Sequence, residues 1–119
     1  MTRWLCATAM SSSLMTLLAV WGFAAAGLPG KTKLENSAVK VSEVTYAPGV
    51  ARDRYIREHN QVIVFLDDCR YERTDPATGD KTVRERKSGD VIWHDKGEDA
   101  PRLVNLGTAP YRTLVIELK

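Results

Sequence analysis

Residues 55–68 have the sequence Tyr-Ile-Arg-Glu-His-Asn-Gln-Val-Ile-Val-Phe-Leu-Asp-Asp. The second half of this segment, residues 61–66, is the longest β-branched and aromatic run outside the N-terminal region, and it predicts a core strand. In the first half, Tyr55, Arg57, His59 and Gln61 occupy alternate positions, which an extended chain presents on one face. The segment therefore predicts a buried strand with a polar pocket at one end.

Short strand patterns separated by turn residues fill the chain after residue 37. They begin near residues 39, 61, 69, 81, 91, 102 and 111. Asp75-Pro-Ala-Thr-Gly-Asp80 predicts a hairpin turn, because Pro sets φ and Gly accepts a positive φ. The strand after this turn has only Val83 as an apolar residue, which predicts an exposed or edge strand. Seven or eight short strands without helical periodicity predict an all-β sandwich or barrel.

The N-terminal region predicts export. Arg3 precedes an apolar segment at 14–26 that ends in three alanines, and this order is typical of a secretory signal peptide. We therefore expect residues 1–26 to be cleaved and the protein to be periplasmic or secreted. A retained membrane anchor is the alternative, because residues 4–28 carry no charge. Residues 27–37, rich in Gly, Pro and Lys, predict a flexible tether, and residues 38–119 predict a single domain.

The charge balance argues against a nucleic-acid-binding protein, and the cysteine content argues against a disulfide-stabilised one. The chain has 17 Lys and Arg residues against 15 Asp and Glu residues, a formal net charge of +2. This near balance gives no electrostatic basis for binding nucleic acid, and the arginines that alternate with acids are expected on a solvated strand face. Cys69 is the only cysteine after the predicted signal, so no disulfide framework is expected. We expect Cys69 to be a small buried hydrophobe, with a reactive or cross-linking thiol as the alternative.

The segment that begins at Gly49 resembles the first motif of the cupin superfamily, a group of small jelly-roll β-barrels. That motif is a Gly, five residues, His-x-His, three or four residues and a Glu. Here Tyr55 and Arg57 stand at the two His positions, and Gln61 stands at the Glu position. Asp68 stands about where the motif closes with a Gly. The resemblance covers about residues 38–119.

The second cupin motif is a Gly, five residues, Pro-x-Gly, two residues, His, three residues and an Asn. Gly89 and Gly97 match it, Asn105 matches with a shift of one residue, and Ala100 or Pro101 replaces the His. The resemblance implies a small cupin-like β-barrel. It also implies a metal site of three imidazoles and a carboxylate, but none of the four ligand positions carries a matching residue in this sequence. We therefore expect neither a metal ion nor another cofactor.

The side chains at the first motif predict a ligand site. In the cupin register Tyr55, Arg57, His59 and Gln61 face the barrel mouth, where Arg57 places a permanent cation. Arginine binds a carboxylate in bidentate geometry, so this row suits a small polar or anionic molecule. Trp93 is a further candidate for the pocket, with core packing as its alternative. In the competing interpretation, Arg57 pairs with a nearby acid and the row fills the barrel end.

The two histidines give a weaker signal. A metal site that contains His59 and His94 would be completed by Glu58, Asp95, Glu98 or Asp99, but the sequence lacks a close histidine pair. His94 as a general base lacks an identifiable orienting acid.

Two functions remain open from the sequence. The first is an exported cupin-like protein without metal that binds a small polar or anionic molecule at the barrel mouth or has a structural role. The second is a metal-dependent enzyme of dioxygenase or isomerase type with non-standard ligands. The residues do not identify a reaction, so catalysis itself is an open question.

Residues 62–66 are apolar on both faces, which predicts a second layer, and the resemblance implies a homodimer through a sheet face. A membrane partner is expected only if residues 1–26 are retained.

Overall fold

The computed structural model describes residues 27–119, which form eleven β-strands. The predicted signal peptide lies outside the described residues. Within residues 27–119, no helix is long and apolar enough to cross a membrane. The strands are β1 (Gly30–Glu35), β2 (Val39–Tyr46), β3 (Ala51–Arg52), β4 (Tyr55–Ile56), β5 (Asn60–Phe65), β6 (Cys69–Thr74), β7 (Lys81–Arg86), β8 (Val91–His94), β9 (Asp99–Ala100), β10 (Arg102–Asn105) and β11 (Tyr111–Leu118).

The strands form two large sheets around one core. The first sheet has the order β1-β2-β11-β5-β8, the second has the order β3-β10-β6-β7, and β4 pairs with β9. Phe65 of the first sheet stacks on Tyr71 of the second, with ring centroids 6.2 Å apart. The all-β prediction is confirmed, and several of the additional strands are only two residues long. The buried core cluster contains Leu28, Val44, Tyr46, Phe65, Tyr71 and Tyr111.

β5 is the central strand that residues 61–66 predict. It pairs with β11 on one side and with β8 on the other. Phe65 is buried and Ile63 packs against the core cluster. Val62 and Val64 alternate with these residues and therefore lie on the outer face of the sheet. The strand is apolar on both faces, as its sequence indicates.

β6 and β7 form the predicted hairpin. Asp75 opens the turn, and its Oδ1 accepts hydrogen bonds from the backbone N–H groups of Ala77 at 2.8 Å and Thr78 at 3.1 Å. β7 pairs only with β6 and is exposed along most of its length. The prediction of an edge strand is confirmed, and its charged side chains disfavour pairing with another chain.

The prediction of a flexible tether at residues 27–37 is wrong. β1 pairs with β2 from Gly30 opposite Val44 to Glu35 opposite Lys40. Leu28 is 1% exposed and belongs to the core cluster. The side chains of β1 are mostly exposed, and its sequence shows no apolar alternation. The strand is therefore held mainly by its backbone hydrogen bonds to β2. The packed part of the chain therefore includes Leu28 and β1.

An apolar row crosses the outer face of the first sheet. The register places Leu34 opposite Val41, Val41 opposite Ile116, Ile116 opposite Val62, and Val62 opposite Trp93. The two ends of the row, Leu34 and Trp93, are 54% and 51% exposed. We call these five residues the outer apolar row. Beside them lies a shorter row of Leu114, Val64 and Val91.

Replacement of Leu28 by alanine is expected to lower the free energy of unfolding by about 2–4 kcal/mol, because it leaves a cavity in the core. Leu106→Ala is the matched control, since Leu106 is 37% exposed, and its effect should stay below about 1 kcal/mol. Urea denaturation of both variants measures the difference. Equal losses would contradict the packing of Leu28 in the core.

Candidate functional site

A cavity of about 150 Å³ lies between the two large sheets, and we call it the lumen. Its wall combines apolar side chains, tyrosine and threonine hydroxyls, one imidazole and several cations. Of residues 27–119, no aspartate or glutamate lines it. A cavity lined by charges of one sign favours ligands of the opposite sign, so the lumen favours an anion. The lining cations are Arg52, Arg57, Arg73, Arg84 and Arg86.

Arg57 lies in the turn between β4 and β5 and points into the lumen. Its backbone N–H donates to the Glu98 carbonyl at 3.0 Å, and its carbonyl accepts from the Gly97 N–H at 2.9 Å. The loop before β9 thereby fixes the turn. The Arg57 side chain is 3% exposed. Its Nη1 donates to Gln61 Oε1 at 2.7 Å and to Tyr55 Oη at 3.2 Å. Three of the four residues of the predicted polar row therefore meet at one guanidinium.

The charge of Arg57 is only weakly compensated. Its Nε lies 3.9 Å from Glu98 Oε2, which is too far for a hydrogen bond, and the Glu98 side chain is 43% exposed. Nε is buried and has no hydrogen-bond partner in the described chain. Burial lowers the pKa of Arg57, and the neighbouring cation of Arg52 also lowers it. Because a buried and poorly paired cation is unfavourable, this site favours an added anion.

Arg52 on β3 is a second buried cation, 5% exposed. Its Nη1 donates to Tyr46 Oη at 3.3 Å and its Nη2 donates to the Pro101 carbonyl, whereas its Nε is buried without a partner. The guanidinium carbons of Arg52 and Arg57 lie 5.3 and 5.6 Å from the centroid of the Tyr55 ring. Tyr55 therefore contacts both cations through its ring, in the range of cation–π interactions.

His94 at the end of β8 brings an imidazole to the same cavity. Its Nδ1 lies 2.8 Å from Glu98 Oε2. Burial lowers the pKa of His94, and the cation of Arg57 also lowers it, while Glu98 acts in the opposite direction. The neutral imidazole is therefore favoured. The orienting acid that the sequence did not identify for His94 is Glu98, which the sequence analysis named only as a candidate metal ligand.

Solved structures share this arrangement of strands. A cupin domain from Bordetella pertussis Tohama I matches with a TM-score of 0.68 and 18% sequence identity, over 76% of this chain and 91% of that chain. The fold is that of the cupins. A polyketide cyclase from Streptomyces resistomycificus matches with a TM-score of 0.61 and 17% identity, over 75% and 63% of the two chains.

A cupin domain of an XRE family transcriptional regulator from Enterobacter cloacae matches with a TM-score of 0.59 and 9% identity, over 76% of this chain and 94% of that chain. No protein-family model and no curated protein matches the sequence. The cupin prediction is thus confirmed for the fold. Because the similar structures include both an enzyme and a domain of a regulator, the cupin fold does not select a function here.

The matching cupin residues have structural roles in this chain. Gly49, Gly89 and Gly97 have φ values of 72°, 92° and 86°, which glycine adopts without the strain of a side chain. Asn105 is 3% exposed, and its Nδ2 donates to two backbone carbonyls at 2.9 Å each. Its Oδ1 accepts from the Gly107 N–H at 2.8 Å. The motifs therefore preserve turns of the barrel.

The residues at the cupin ligand positions do not fit a divalent metal ion. Tyr55, Arg57 and Gln61 replace the nitrogen and carboxylate donors, and the guanidinium repels a cation. Within residues 27–119, no group of three or more His, Cys, Asp or Glu side chains has the arrangement to hold a metal. His94 meets Glu98, but His59 is not part of the lumen wall.

Two predicted site residues lie away from the lumen. His59 is separated from Tyr55 because residues 57–59 form a turn, so the polar row is not one extended strand as expected. Trp93 was predicted for the pocket, with the core as the alternative, but it lies on the outer face of the sheet. Its indole N–H donates to Asp95 Oδ1 at 2.8 Å. Because Ile92 and His94 line the lumen, strand alternation places Trp93 outside.

The predicted residue Gln61 is 3% exposed and is not part of the lumen wall, but its Oε1 accepts a hydrogen bond from Arg57, which is. It also lines a neighbouring cavity of about 250 Å³ together with Tyr55.

Several lumen arginines were predicted to lie on a solvated strand face, and the structure corrects this. Arg52 is buried, and Arg73 is half-buried on β6. Arg73 shares its strand face with the core residue Tyr71, and this parity is the sequence signal for an inward arginine. On β7, Arg84 and Arg86 have the parity opposite to Val83. Because Val83, the apolar residue of β7, faces outward, the apolar pattern of this strand does not indicate that Arg84 and Arg86 line the lumen.

Cys69 begins β6 and packs against the core cluster. Burial raises the pKa of its thiol to about 11. The thiol is therefore protonated near neutral pH and a poor nucleophile, in agreement with the predicted hydrophobic role.

Proposed function

We propose that this cupin barrel binds a small carboxylate in its lumen without a metal ion. One observation carries the proposal: Arg57 and Arg52 are both buried, and the Nε of each has no hydrogen-bond partner within residues 27–119. A carboxylate at this place accepts charge-assisted hydrogen bonds from the guanidinium groups and compensates their charge. Tyr55 and Gln61 hold Arg57 in place, so the binding group is preorganised.

The apolar part of the lumen indicates that the ligand is amphipathic. Inward side chains from both large sheets contribute to it, among them Ile63 and Ile92 from neighbouring strands and Leu103 from the opposite sheet. A small inorganic anion leaves these surfaces unfilled, whereas a carboxylate on a compact hydrocarbon body buries them. The guanidinium groups would fix the orientation of the ligand through its carboxylate, and the hydrocarbon body of the ligand would contact the apolar wall of the lumen.

A metal-dependent enzyme is the alternative function. The pair of His94 and Glu98 provides an imidazole and a carboxylate at the lumen, but a third ligand of the usual type is not grouped with them in the described chain. The buried cation of Arg57 also lowers the pKa of His94, which reflects a positive potential at the imidazole. A positive potential disfavours a metal cation.

Calorimetry with phenylacetate, on protein dialysed against EDTA, tests the proposal. Wild-type protein should bind, and Arg57→Gln should bind at least ten times more weakly, because charge-assisted hydrogen bonds of about 1.5–3 kcal/mol are lost. Arg102→Gln is the matched control, since Arg102 is exposed and does not line the lumen, and it should leave affinity unchanged.

Equal weakening by the two substitutions would contradict a specific role for Arg57. Binding or turnover that EDTA abolishes and a divalent metal restores would favour the alternative. Circular dichroism and thermal unfolding of both variants establish that a loss of binding is not a loss of fold.

We further propose that the protein acts after export. The support is the basic start, apolar segment and alanine end of residues 1–26. An intact mass that begins at Gly27 in protein purified from cells supports cleavage, and a mass that begins at Met1 supports a retained segment.

We also propose that the outer apolar row is covered by a second copy of the chain. Five strands of four to eight residues each, spaced about 4.8 Å apart, give a face on the order of 500 Å² per copy. Two such faces bury about 1,000 Å², which is the lower limit for a specific interface. Charges of both signs stand near the row, including Lys33, Glu43 and Arg112, and an isologous dimer can match them.

Val62→Lys is expected to convert the dimer to a monomer, because it places a charge at the centre of the outer apolar row. Val83→Lys is the matched control: Val83 is 49% exposed on the other sheet, so this variant should stay dimeric. Sedimentation velocity measures the mass of each. A monomeric wild type at about 100 μM, a concentration well above the dissociation constant of a stable dimer, would contradict the proposal.

A further inference from the structure

We propose that the ligand is a ring-sized carboxylic acid that carries a hydroxyl group, and that Tyr111 and Thr113 bind this hydroxyl. The inference rests on the proposed carboxylate site and defines a second polar group of the same ligand. It assigns a role to two lumen residues that the carboxylate site does not use.

The first support is a pair of buried hydroxyls without partners. Tyr111 and Thr113 are each 2% exposed, and both line the lumen. Neither Tyr111 Oη nor Thr113 Oγ1 has a hydrogen-bond partner within residues 27–119. Buried polar groups are normally paired, so two such groups on one cavity wall indicate a polar group of a ligand. Because the two residues are two positions apart on β11, their side chains share one face of the strand.

The second support is that packing holds Tyr111 in position. Its ring stacks on Tyr46 with centroids 4.6 Å apart and an angle of 7° between the rings. It also contacts the Tyr71 ring, at 6.3 Å between centroids. A ring held between two others cannot turn its hydroxyl towards a different partner. Burial raises the pKa of Tyr111, so the group is a neutral hydroxyl that both donates and accepts.

A neutral pair of hydroxyls matches a ligand hydroxyl better than a second carboxylate. A hydroxyl donates and accepts, as Tyr111 and Thr113 do, whereas a carboxylate only accepts. A second negative charge at this depth also requires a buried cation. Arg52, which donates to the hydroxyl of the stacked Tyr46, already belongs to the carboxylate site. Arg86 donates to Tyr71 Oη at 3.4 Å and lies over the Phe65 ring.

The separation of the two polar ends sets the length of the ligand. Gln61, which holds Arg57, pairs with Glu117 on β11, and Thr113 lies four residues from Glu117 on the same strand. Four residues span about 13 Å along a strand. This backbone separation is an upper limit for the ligand, because Tyr111 stacks on Tyr46, whose hydroxyl accepts from Arg52 of the carboxylate site. A ring with a carboxylate arm and a hydroxyl is shorter than this limit.

The volume between the polar ends suits one ring. The middle of the lumen is apolar, with Ile63, Ile92 and Leu103 in its wall. The cavity volume of about 150 Å³ equals the volume in which an apolar engineered cavity takes up benzene. The ligand class is therefore a hydroxylated aromatic or cyclic carboxylic acid.

Calorimetry on the whole protein tests this with four probes: phenylacetate, 3-hydroxyphenylacetate, 4-hydroxyphenylacetate and 4-carboxyphenylacetate. We expect at least one hydroxylated acid to bind ten or more times more tightly than phenylacetate, because a site built for a hydroxyl rejects an analogue that lacks it. Thr113→Val and Tyr111→Phe should each reduce this ratio towards one. Thr45→Val, on the outward face of β2, is the matched control and should keep the ratio.

The ratio is measured within each protein, so a partly misfolded variant does not imitate the expected result. Equal affinities of wild-type protein for phenylacetate and both hydroxylated acids would overturn this inference and leave the carboxylate site standing. Tightest binding of 4-carboxyphenylacetate, or a ratio unchanged in both variants, would overturn it as well. If none of the four acids binds, the proposed function fails, and this inference fails with it.

Discussion

The guanidinium of Arg57 is a positive charge that the folded chain buries without fully compensating it. Tyr55 and Gln61 bond to one of its nitrogen atoms, whereas its Nε has no hydrogen-bond partner among residues 27–119 and lies 3.9 Å from Glu98. Burial of such a charge opposes folding, so the surrounding structure must hold it in place. The turn between β4 and β5 and its bonds to the loop before β9 do so. The anionic ligand that we propose follows from this charge, and the same charge adds to the effect of burial in lowering the pKa of His94.

The cupin barrel is retained here while its usual site chemistry is replaced. The matching glycines and Asn105 form turns and backbone bonds that any cupin barrel requires. The metal-ligand positions of the cupin motif have another role than these residues, because their side chains belong to the site and do not form the turns of the barrel. They are therefore free to change without loss of the fold. In this chain the fixed cation of Arg57 stands at a position where the cupin motif has a metal ligand, and we propose an anion as its partner.

Sequence alone predicted the strands whose residues alternate or are apolar, such as β5, and the hairpin whose turn residues are diagnostic. It failed for β1, because that strand is exposed and is recognised only through its backbone pairing with β2. It predicted Tyr55, Arg57 and Gln61 as one site but assumed an extended chain, which wrongly added His59. The contact of Glu98 with His94 spans four residues and depends on the turn at residues 96–97. The burial of Arg52, and the hydroxyls of Tyr111 and Thr113 that have no partner within residues 27–119, depend on residues distant in sequence. No local pattern contains that information.

A crystal structure of the protein with bound phenylacetate, recorded with anomalous data that identify transition metals, tests the central claim most directly. The account predicts the carboxylate within hydrogen-bond distance of the Arg57 guanidinium, the ring between the two large sheets, and no metal ion beside Tyr55 and Gln61. A metal ion coordinated at that place, or a carboxylate bound elsewhere while the lumen holds none, would contradict it.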